Sequence, residues 1–378
     1  MFDRPTPADH NGLLEYSVVY TDRSLNHMSP SFQQVMRDIS NTLKELYGAY
    51  SVAVVPGGGT FGMEAVARQL ATNKTCLVIR NGWFSYRWTQ IFEAGNIPSK
   101  ELVIKAKPID NGSNPHYAPP ALEDVLNTIH RERPNVVFAA HVETSAGMML
   151  PDDYIKKVSQ AVHAVGGIFV LDCIASGTLW VNMKELGVDV LITAPQKGWS
   201  GSPCAALVLM SEQAHTMVKN SESSSFSCNL KAWLNIMEKY ESGGHAYHAT
   251  MPTDSLKIFR DVMMEAKSQG FELLKERQVH IGTQIRNVLS PYFKSLAAPG
   301  FQAPSVVVCY TDNIDIKTGR AFSLLGMQIA AGVPLNCDEA TPFKTFRLGL
   351  FGLDKLMNPN RTVSLFKKVL TELTQREP

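Results

Sequence analysis

The sequence lacks the features that mark several large classes of protein. Its six cysteines show no CxxC spacing and no clustering with histidine, so it predicts no zinc site. No apolar run approaches the roughly 20 residues that a membrane span needs. The formal net charge is +1 at pH 7, which leaves no overall field to attract nucleic acid or an anionic membrane surface.

The composition and the two ends of the chain predict an ordinary cytoplasmic globular protein. Hydrophobic residues make up 44% and charged residues 19% of the sequence, as in typical soluble domains. The first residues, MFDRPTPADHNG, carry no apolar signal core, and the last, TQREP, match no peroxisomal or retention signal. Most cysteines stand in apolar runs, which suits the reduced thiols of a cytosolic protein.

Apolar runs that alternate with helical patterns predict an α/β fold. The predicted strands are rich in Val, Ile and Leu and span 51–55, 75–80, 136–141, 167–172, 188–193 and 205–210. Predicted helices lie between them at 60–71, 83–94, 120–132 and 152–164. Continuous apolar strands indicate a sheet that is buried on both faces. The order strand, helix, strand predicts a large, doubly wound, mostly parallel sheet.

The pattern changes after about Thr253 and predicts a second, smaller α+β domain. The predicted elements are a helical stretch at 255–289 with a break near Gly270, a strand at 305–310, a helix at 319–331, a strand at 345–350 and a helix from 359 onward. We therefore predict an N-terminal arm at 1–20, a large domain at 21–268 and a small C-terminal domain at 269–378.

Two segments of the large domain have the chemistry of an anion site and of a buried acid. The glycine run PGGGT at 56–60 joins a strand to a helix, where backbone N–H groups and the helix dipole favour a phosphate. A plain flexible turn is the alternative. No Gly-Lys-Ser/Thr and no later acidic ribose partner accompany the run, which disfavours an ATP or NAD site. Asp172 closes a buried strand at the usual ligand edge of an α/β sheet. It needs a cationic partner such as a protonated pyridine, unless it caps a helix or forms a structural ion pair.

A lysine and an arginine add a nucleophile and a carboxylate ligand. Lys197 follows the strand at 188–193 in the segment TAPQKGW, where a desolvated amine with a lowered pKa could act as a nucleophile. Most lysines are solvated surface groups, and that alternative stays open. Arg347 stands within an apolar strand pattern and suits a bidentate grip on a carboxylate. The alternative is an ion pair that holds the small domain to the large one.

Taken in order, these segments resemble the class V aminotransferases, and within them the alanine–glyoxylate and serine–glyoxylate members. The resemblance runs from about Ser51 to Gly352 and rests on the ordered segments PGGGTFGMEAVA, NGWFSYR, HVETSAG, VLDCIAS, QK, AYHATMP and FRLGLFG. It implies a pyridoxal-phosphate (PLP) enzyme of fold type I that acts as a homodimer, with no nucleic-acid or membrane partner.

The resemblance also implies a role for each matched residue. Lys197 would carry PLP as a Schiff base and serve as general base and acid, while Asp172 would pair with the pyridinium nitrogen. Arg347 would bind the substrate carboxylate. The remaining cofactor contacts would be Gly58, Gly59 and Thr60 at the phosphate, Phe84 (or Trp83) stacked on the ring, Thr144 at the phenolic oxygen, Gln196 beside the lysine, and Tyr247 and Thr250 from the partner subunit.

The N-terminal region departs from the family pattern. Where close relatives carry a Gly-Pro-Gly-Pro-like stretch, this chain reads TDRSLN at 21–26. There Arg23 would lie near the far end of the substrate, which leaves room for a second anionic group such as a β-carboxylate or a phosphonate. Because arginines are mostly exposed, a position in solvent is the alternative.

The implied reaction moves an amino group from alanine, serine, aspartate or aminoethylphosphonate to glyoxylate or pyruvate. A PLP-dependent lyase such as a cysteine desulfurase is the first rival. It needs a cysteine on a mobile loop of the C-terminal domain, for which Cys337 is the candidate. A non-catalytic vitamin B6 binder is the second rival, and it would not need the carboxylate grip of Arg347.

Overall fold

A computed structural model describes residue 9 and residues 12–375. Residues 1–8, 10 and 11 of the predicted N-terminal arm and the last three residues of the chain lie outside the described part. Within it, the strands are β1 (Ser51–Pro56), β2 (Thr75–Arg80), β3 (Lys100–Lys105), β4 (Lys107–Pro108), β5 (Tyr117–Ala118), β6 (Val136–Ala140), β7 (Val142–Glu143), β8 (Met148–Met149), β9 (Ile168–Asp172), β10 (Val190–Thr193), β11 (Ala205–Met210), β12 (Val306–Tyr310), β13 (Ala330–Ala331) and β14 (Thr345–Gly349).

The helices of the same described part connect many of these strands. They are α1 (Pro30–Tyr47), α2 (Gly59–Leu70), α3 (Trp83–Gly95), α4 (Leu122–Glu132), α5 (Asp152–Ala164), α6 (Met183–Leu186), α7 (Glu212–Lys219), α8 (Leu230–Glu241), α9 (Thr253–Gln269), α10 (Phe271–Leu289), α11 (Ile314–Lys317), α12 (Arg320–Ser323), α13 (Leu353–Leu356) and α14 (Pro359–Gln375). Among the described residues, none of these helices is both long enough and apolar enough to cross a membrane.

The large sheet has seven strands in the order β1-β11-β10-β9-β6-β2-β3. Neighbours from β10 to β3 pair in parallel, whereas β11 runs antiparallel to both β1 and β10. Every residue of β6, β9, β10 and β11 is buried, because helices cover both faces of the sheet. The predicted doubly wound, mostly parallel α/β sheet is therefore confirmed.

Several helices of the structure differ from the helix predictions. The helices α1, α7 and α8 were not predicted, although α1 begins at a Ser29 cap followed by Pro30 and ends at Gly48 in the left-handed region. The predicted helix at 319–331 is wrong, since α12 ends at Ser323 and the chain later forms β13. Gly326, at a φ of +77°, takes a left-handed conformation that does not continue a helix.

The C-terminal region forms a separate hydrophobic cluster. Its three-stranded antiparallel sheet has the order β12-β14-β13. Phe322, Phe346 and Phe366 are buried there among side chains of α10 and α14. Gly270, at a φ of +88°, separates α9 from α10. The exact division at residues 268 and 269 remains a prediction.

Candidate active site

Four segments meet at one edge of the large sheet. The strands β9 and β10 pair so that Asp172 lies opposite Ile192, and the chain after β10 leads directly to Lys197. The carboxyl ends of parallel strands are where α/β sheets bind ligands. The first turns of α2 and α3 complete this edge. Phe84 of α3 lies against Lys197 and Arg87, and Arg87 in turn binds the hydroxyl of Thr60 in α2.

Lys197 lies in a tight turn between two aromatic rings. Its Nζ is 5.7 Å from the ring centroid of Phe84 and 5.8 Å from that of Phe351. Burial lowers the pKa of the amine, and the negative charge of Asp172 opposes this effect. A side chain on Gly198 would collide with the carbonyl oxygen of Gly177. The turn therefore packs too closely for any residue but glycine after the lysine.

Asp172 presents a buried carboxylate with one unused oxygen. Its Oδ1 accepts a hydrogen bond of 2.8 Å from the backbone N–H of Ile174, while no donor in the described part of the chain reaches Oδ2. Burial raises the pKa of Asp172 to about 6, and the Ile174 N–H and the charge of Lys197 act in the opposite direction. Such a group favours a cationic hydrogen-bond donor at its open oxygen.

The amino terminus of α2 forms an anion-binding corner. Gly58 caps the helix without a side-chain hydrogen bond, and no acceptor among the described residues reaches the N–H groups of Gly59 or Thr60. A side chain on Gly59 would collide with Ile174, whereas one on Gly58 would meet nothing within 4 Å. The Arg87 guanidinium donates a 3.1 Å hydrogen bond from Nη1 to the Thr60 hydroxyl. A phosphate suits this combination of N–H groups, hydroxyl and guanidinium.

Arg347 approaches the same aromatic ring from the C-terminal region. Its Nε donates a 2.8 Å hydrogen bond to the carbonyl oxygen of Ala331, and its Cζ is 5.6 Å from the ring centroid of Phe84. Burial lowers the pKa of Arg347, and the charge of Glu143 opposes this effect. The charged groups of Arg347, Arg87 and Lys197 thus all lie within 5.7 Å of the centroid of the Phe84 ring. The site is built for a flat group that carries negative charge.

Arg87 and Phe351 were not predicted as site residues. Arg87 stands one helical turn after Phe84 in NGWFSYR, and its Cζ is 5.5 Å from the centroid of that ring. Phe351 stands in FRLGLFG, four residues after Arg347. Both lie inside segments in which a different residue was predicted as a site residue. For Arg87, the available signal was its spacing of one helical turn from Phe84.

The other predicted residues lie in different surroundings. Thr144 is buried between Glu143 and Ser145, and Gln196 is exposed. Trp83 packs on Tyr86, with ring centroids 5.9 Å apart, while Phe84 faces the amine of Lys197.

Three predicted residues are exposed on the single chain. Tyr247 and Thr250 are joined to each other by a 3.0 Å contact between their hydroxyl oxygens, and Arg23 is exposed in the loop before α1. Within the described residues, no contact joins any of these three to Lys197. Their predicted roles therefore remain predictions.

Cys337 does not have the setting that the lyase alternative requires. It is buried, and its Sγ donates to the carbonyl oxygen of Arg80 at 3.4 Å. Burial raises the pKa of this thiol to about 12. The Glu339 carboxylate accepts hydrogen bonds from the backbone N–H groups of Leu335, Asn336 and Cys337. A thiol held this way is a poor nucleophile, because the thiolate is the reactive form.

The chain is similar to known aminotransferases in sequence and in fold. The family described as Aminotransferase class-V matches residues 11–293. Alanine–glyoxylate aminotransferase 1 of Saccharomyces cerevisiae is 26% identical over 301 residues, 75% of this chain and 72% of the yeast protein. The 2-aminoethylphosphonate–pyruvate transaminase 2 of Paraburkholderia xenovorans is 26% identical over 320 residues, 83% of this chain and 81% of that protein. The crystal structure of ureidoglycine-glyoxylate aminotransferase from Bacillus subtilis superimposes with a TM-score of 0.74 at 19% identity, covering 95% of this chain and 89% of that one. The likeness confirms the predicted fold.

Proposed function

The chain belongs to the class V aminotransferases, the PLP-dependent transaminases of fold type I, and from this premise we propose that it moves an amino group from a small amino acid to glyoxylate or pyruvate at the site around Lys197. The names of the two relatives support these acceptors, since one uses glyoxylate and the other pyruvate. Alanine, serine, aspartate and aminoethylphosphonate are the donors that we propose to test.

The residues of the site fit PLP. The free N–H groups of Gly59 and Thr60, together with Arg87, would hold its phosphate. The open Oδ2 of Asp172 would accept a hydrogen bond from its protonated ring nitrogen, and Phe84 offers a ring face beside the amine of Lys197. We also propose Thr144 and Gln196 as cofactor contacts, because the segments HVETSAG and QK that contain them resemble those of the family.

The chain's own residues divide the work of transamination. When bound, PLP supplies the electron sink that makes the substrate Cα acidic. Burial favours the neutral amine of Lys197. This amine would remove the proton from the substrate Cα and return it to the C4′ carbon of the cofactor. Asp172 would keep the ring nitrogen protonated, and Arg347 would hold the substrate carboxylate so that the Cα–H bond faces Lys197.

The observation that carries this proposal is the open carboxylate oxygen of Asp172 at a site where its charge acts on a desolvated lysine. We expect purified protein with PLP to absorb in the visible region and to bleach with the correct amino donor. In a separate sample without any donor, borohydride should fix a reduced pyridoxyl group to the peptide that contains residue 197. The peptide that contains Lys184, an exposed lysine of α6, should stay unlabelled.

Absence of the label at residue 197, or a label spread over exposed lysines, would contradict the proposal. The same absorbance measurement, made separately with each of the four donors, identifies the amino acid, because only a productive donor bleaches the visible band.

Replacement of Arg347 by alanine should raise KM for the amino donor about 10- to 100-fold and leave kcat within a few fold. Hydrogen bonds to charged groups contribute roughly 1.5 to 3 kcal/mol, and the guanidinium is expected to contact the substrate before and during the reaction alike. Steady-state kinetics with the identified donor measures both constants. An unchanged KM would mean that another group binds the carboxylate.

Arg23→Ala is the matched comparison for Arg347→Ala. Arg23 is exposed on the single chain, so its removal should affect KM only if a partner subunit or the substrate approaches it. A rise in KM confined to aspartate or aminoethylphosphonate would place Arg23 near a second anionic group of the donor.

We also propose that the enzyme is a cytoplasmic homodimer. Tyr247 is 53% exposed and forms a hydroxyl pair with Thr250, which leaves both available to the phosphate of a partner subunit. All six cysteines are buried and free of disulfide bonds, which suits a reducing compartment. A monomer in sedimentation experiments at micromolar concentration would contradict the dimer.

A further inference from the structure

Glu143 is a fully buried carboxylate that lies outside the residues assigned so far. It ends β7, and its two oxygens accept five hydrogen bonds. Oε1 accepts from the N–H groups of Phe84 and Ser145, at 3.2 and 3.1 Å, and from the Ser145 hydroxyl at 2.7 Å. Oε2 accepts from the N–H and the hydroxyl of Ser85, at 2.9 and 2.8 Å. No basic side chain within the described part of the chain forms a salt bridge with it.

The position of Glu143 explains how a buried charge is tolerated there. Helix α3 has no acidic residue in its first turn, and its cap, Gly82, has no side chain. Glu143 therefore acts as the anion at the positive end of this helix, although it comes from another segment. A side chain on Gly82 would collide with the Ser145 hydroxyl and would approach Cγ of Glu143 to 2.8 Å. Glycine at this position permits the close approach.

The same contacts fix two residues of the proposed cofactor site. The backbone N–H of Trp83 donates to the Ser145 hydroxyl at 2.9 Å, so three consecutive amides of α3 are bound to the segment 143–145. Phe84, in the middle of them, presents its ring to Lys197. Thr144 lies between the two residues that make the bonds.

We propose that Glu143 is a positioning residue, whose buried carboxylate joins the first turn of α3 to the segment 143–145 and so sets the placement of Phe84 and Thr144 against the PLP ring. The inference rests on the proposed function of the site. The charge of Glu143 also raises the pKa values of Lys197 and Asp172.

Glu143→Gln is the direct test, because it keeps the size of the side chain. Each carboxylate oxygen accepts from a backbone N–H, so either orientation of the glutamine amide places its NH2 group against a backbone donor. Glu101→Gln is the matched control. It makes the same change in β3, where the Glu101 carboxylate accepts a hydrogen bond from the Thr89 hydroxyl, a group that can also accept one from a glutamine NH2.

We expect three differences between the two variants. Glu143→Gln should change the near-ultraviolet circular dichroism of the apoprotein, weaken PLP binding about tenfold and shift the pH titration of the visible band to lower pH. Glu101→Gln should reproduce the wild-type values. Wild-type dichroism and PLP affinity in Glu143→Gln would overturn the proposal.

The failure of this proposal is distinguishable from failure of the proposed function. If borohydride labels no lysine in wild-type protein, the PLP site is wrong, while the dichroism of the two apoproteins still tests the joint between α3 and the segment 143–145. If Glu143→Gln does not fold, Ser145→Ala removes the Trp83 and Glu143 contacts of one hydroxyl and leaves the charge. It should then show a smaller loss of PLP affinity, and an unchanged affinity would overturn the proposal.

Discussion

Replacement of Lys197 by alanine should lower kcat by about 10²- to 10⁴-fold, because it removes the base that the site places beside the substrate Cα. The Nζ of Lys197 lies between the rings of Phe84 and Phe351, and burial lowers its pKa. No other lysine among the described residues lies against these rings. The variant should also lose the visible absorbance band and the borohydride label, while PLP remains removable by dialysis.

The control for this experiment is Lys184→Ala. Lys184 is an exposed residue of α6, so the same loss of a charge and a long side chain should leave kcat, KM and the absorbance band unchanged. Keto-acid formation by purified protein is the measurement, with the unfolding transition of each variant recorded beside it. A purified Lys197→Ala protein that retains one tenth of wild-type kcat would refute the assignment.

Most of the large domain was predictable because its sheet is buried on both faces. Runs such as the one that became β9 read as continuous apolar strands, and each of the six predicted strands is present in the structure. The edge strand β3 was missed because it reads KELVIK, and charges at both ends of an edge strand hide its pattern. The error at 319–331 came from counting apolar residues across Gly326, whose left-handed conformation only the structure reveals.

The catalytic candidates were predictable where one segment carries the signal. Asp172 ends one strand and Lys197 follows the next, and parallel strands bring their carboxyl ends to one edge. Arg87 and Glu143 could not be predicted the same way, since their roles depend on contacts between distant segments. The hydroxyl bound by Arg87 belongs to α2, and the amides bound by Glu143 belong to α3.

Asp172→Asn should change catalysis and stability in different ways. In the apoprotein, burial raises the pKa of Asp172 from 3.8 to about 6, which corresponds to about 3 kcal/mol of free energy. A carboxyl group with a raised pKa stabilises the folded state fully below its unfolded pKa of 3.8 and loses that contribution as the pH rises through about 6. Above pH 6, the folded apoprotein therefore holds an ionised carboxylate at a cost.

Asparagine removes this titration and also removes the charge that the cofactor nitrogen needs. We expect the component of apoprotein stability that declines between about pH 4 and 6 to disappear, as measured by urea unfolding across that range. In the PLP-loaded enzyme, breaking a buried charge pair costs about 3–5 kcal/mol, so kcat should fall on the order of 10²- to 10⁴-fold. Activity and stability at neutral pH should therefore respond differently, because the ionised carboxylate costs free energy in the apoprotein and supports the chemistry when PLP is bound.

Asp152→Asn provides the matched control, because Asp152 is an exposed carboxylate in the first turn of α5. It should leave kcat as in the wild type. If Asp172→Asn kept kcat within tenfold, the ring nitrogen would not depend on this carboxylate. If the decline in stability between pH 4 and 6 persisted in the variant, the titrating group would be another one. The two results are independent, since the first requires bound PLP and the second is measured without it.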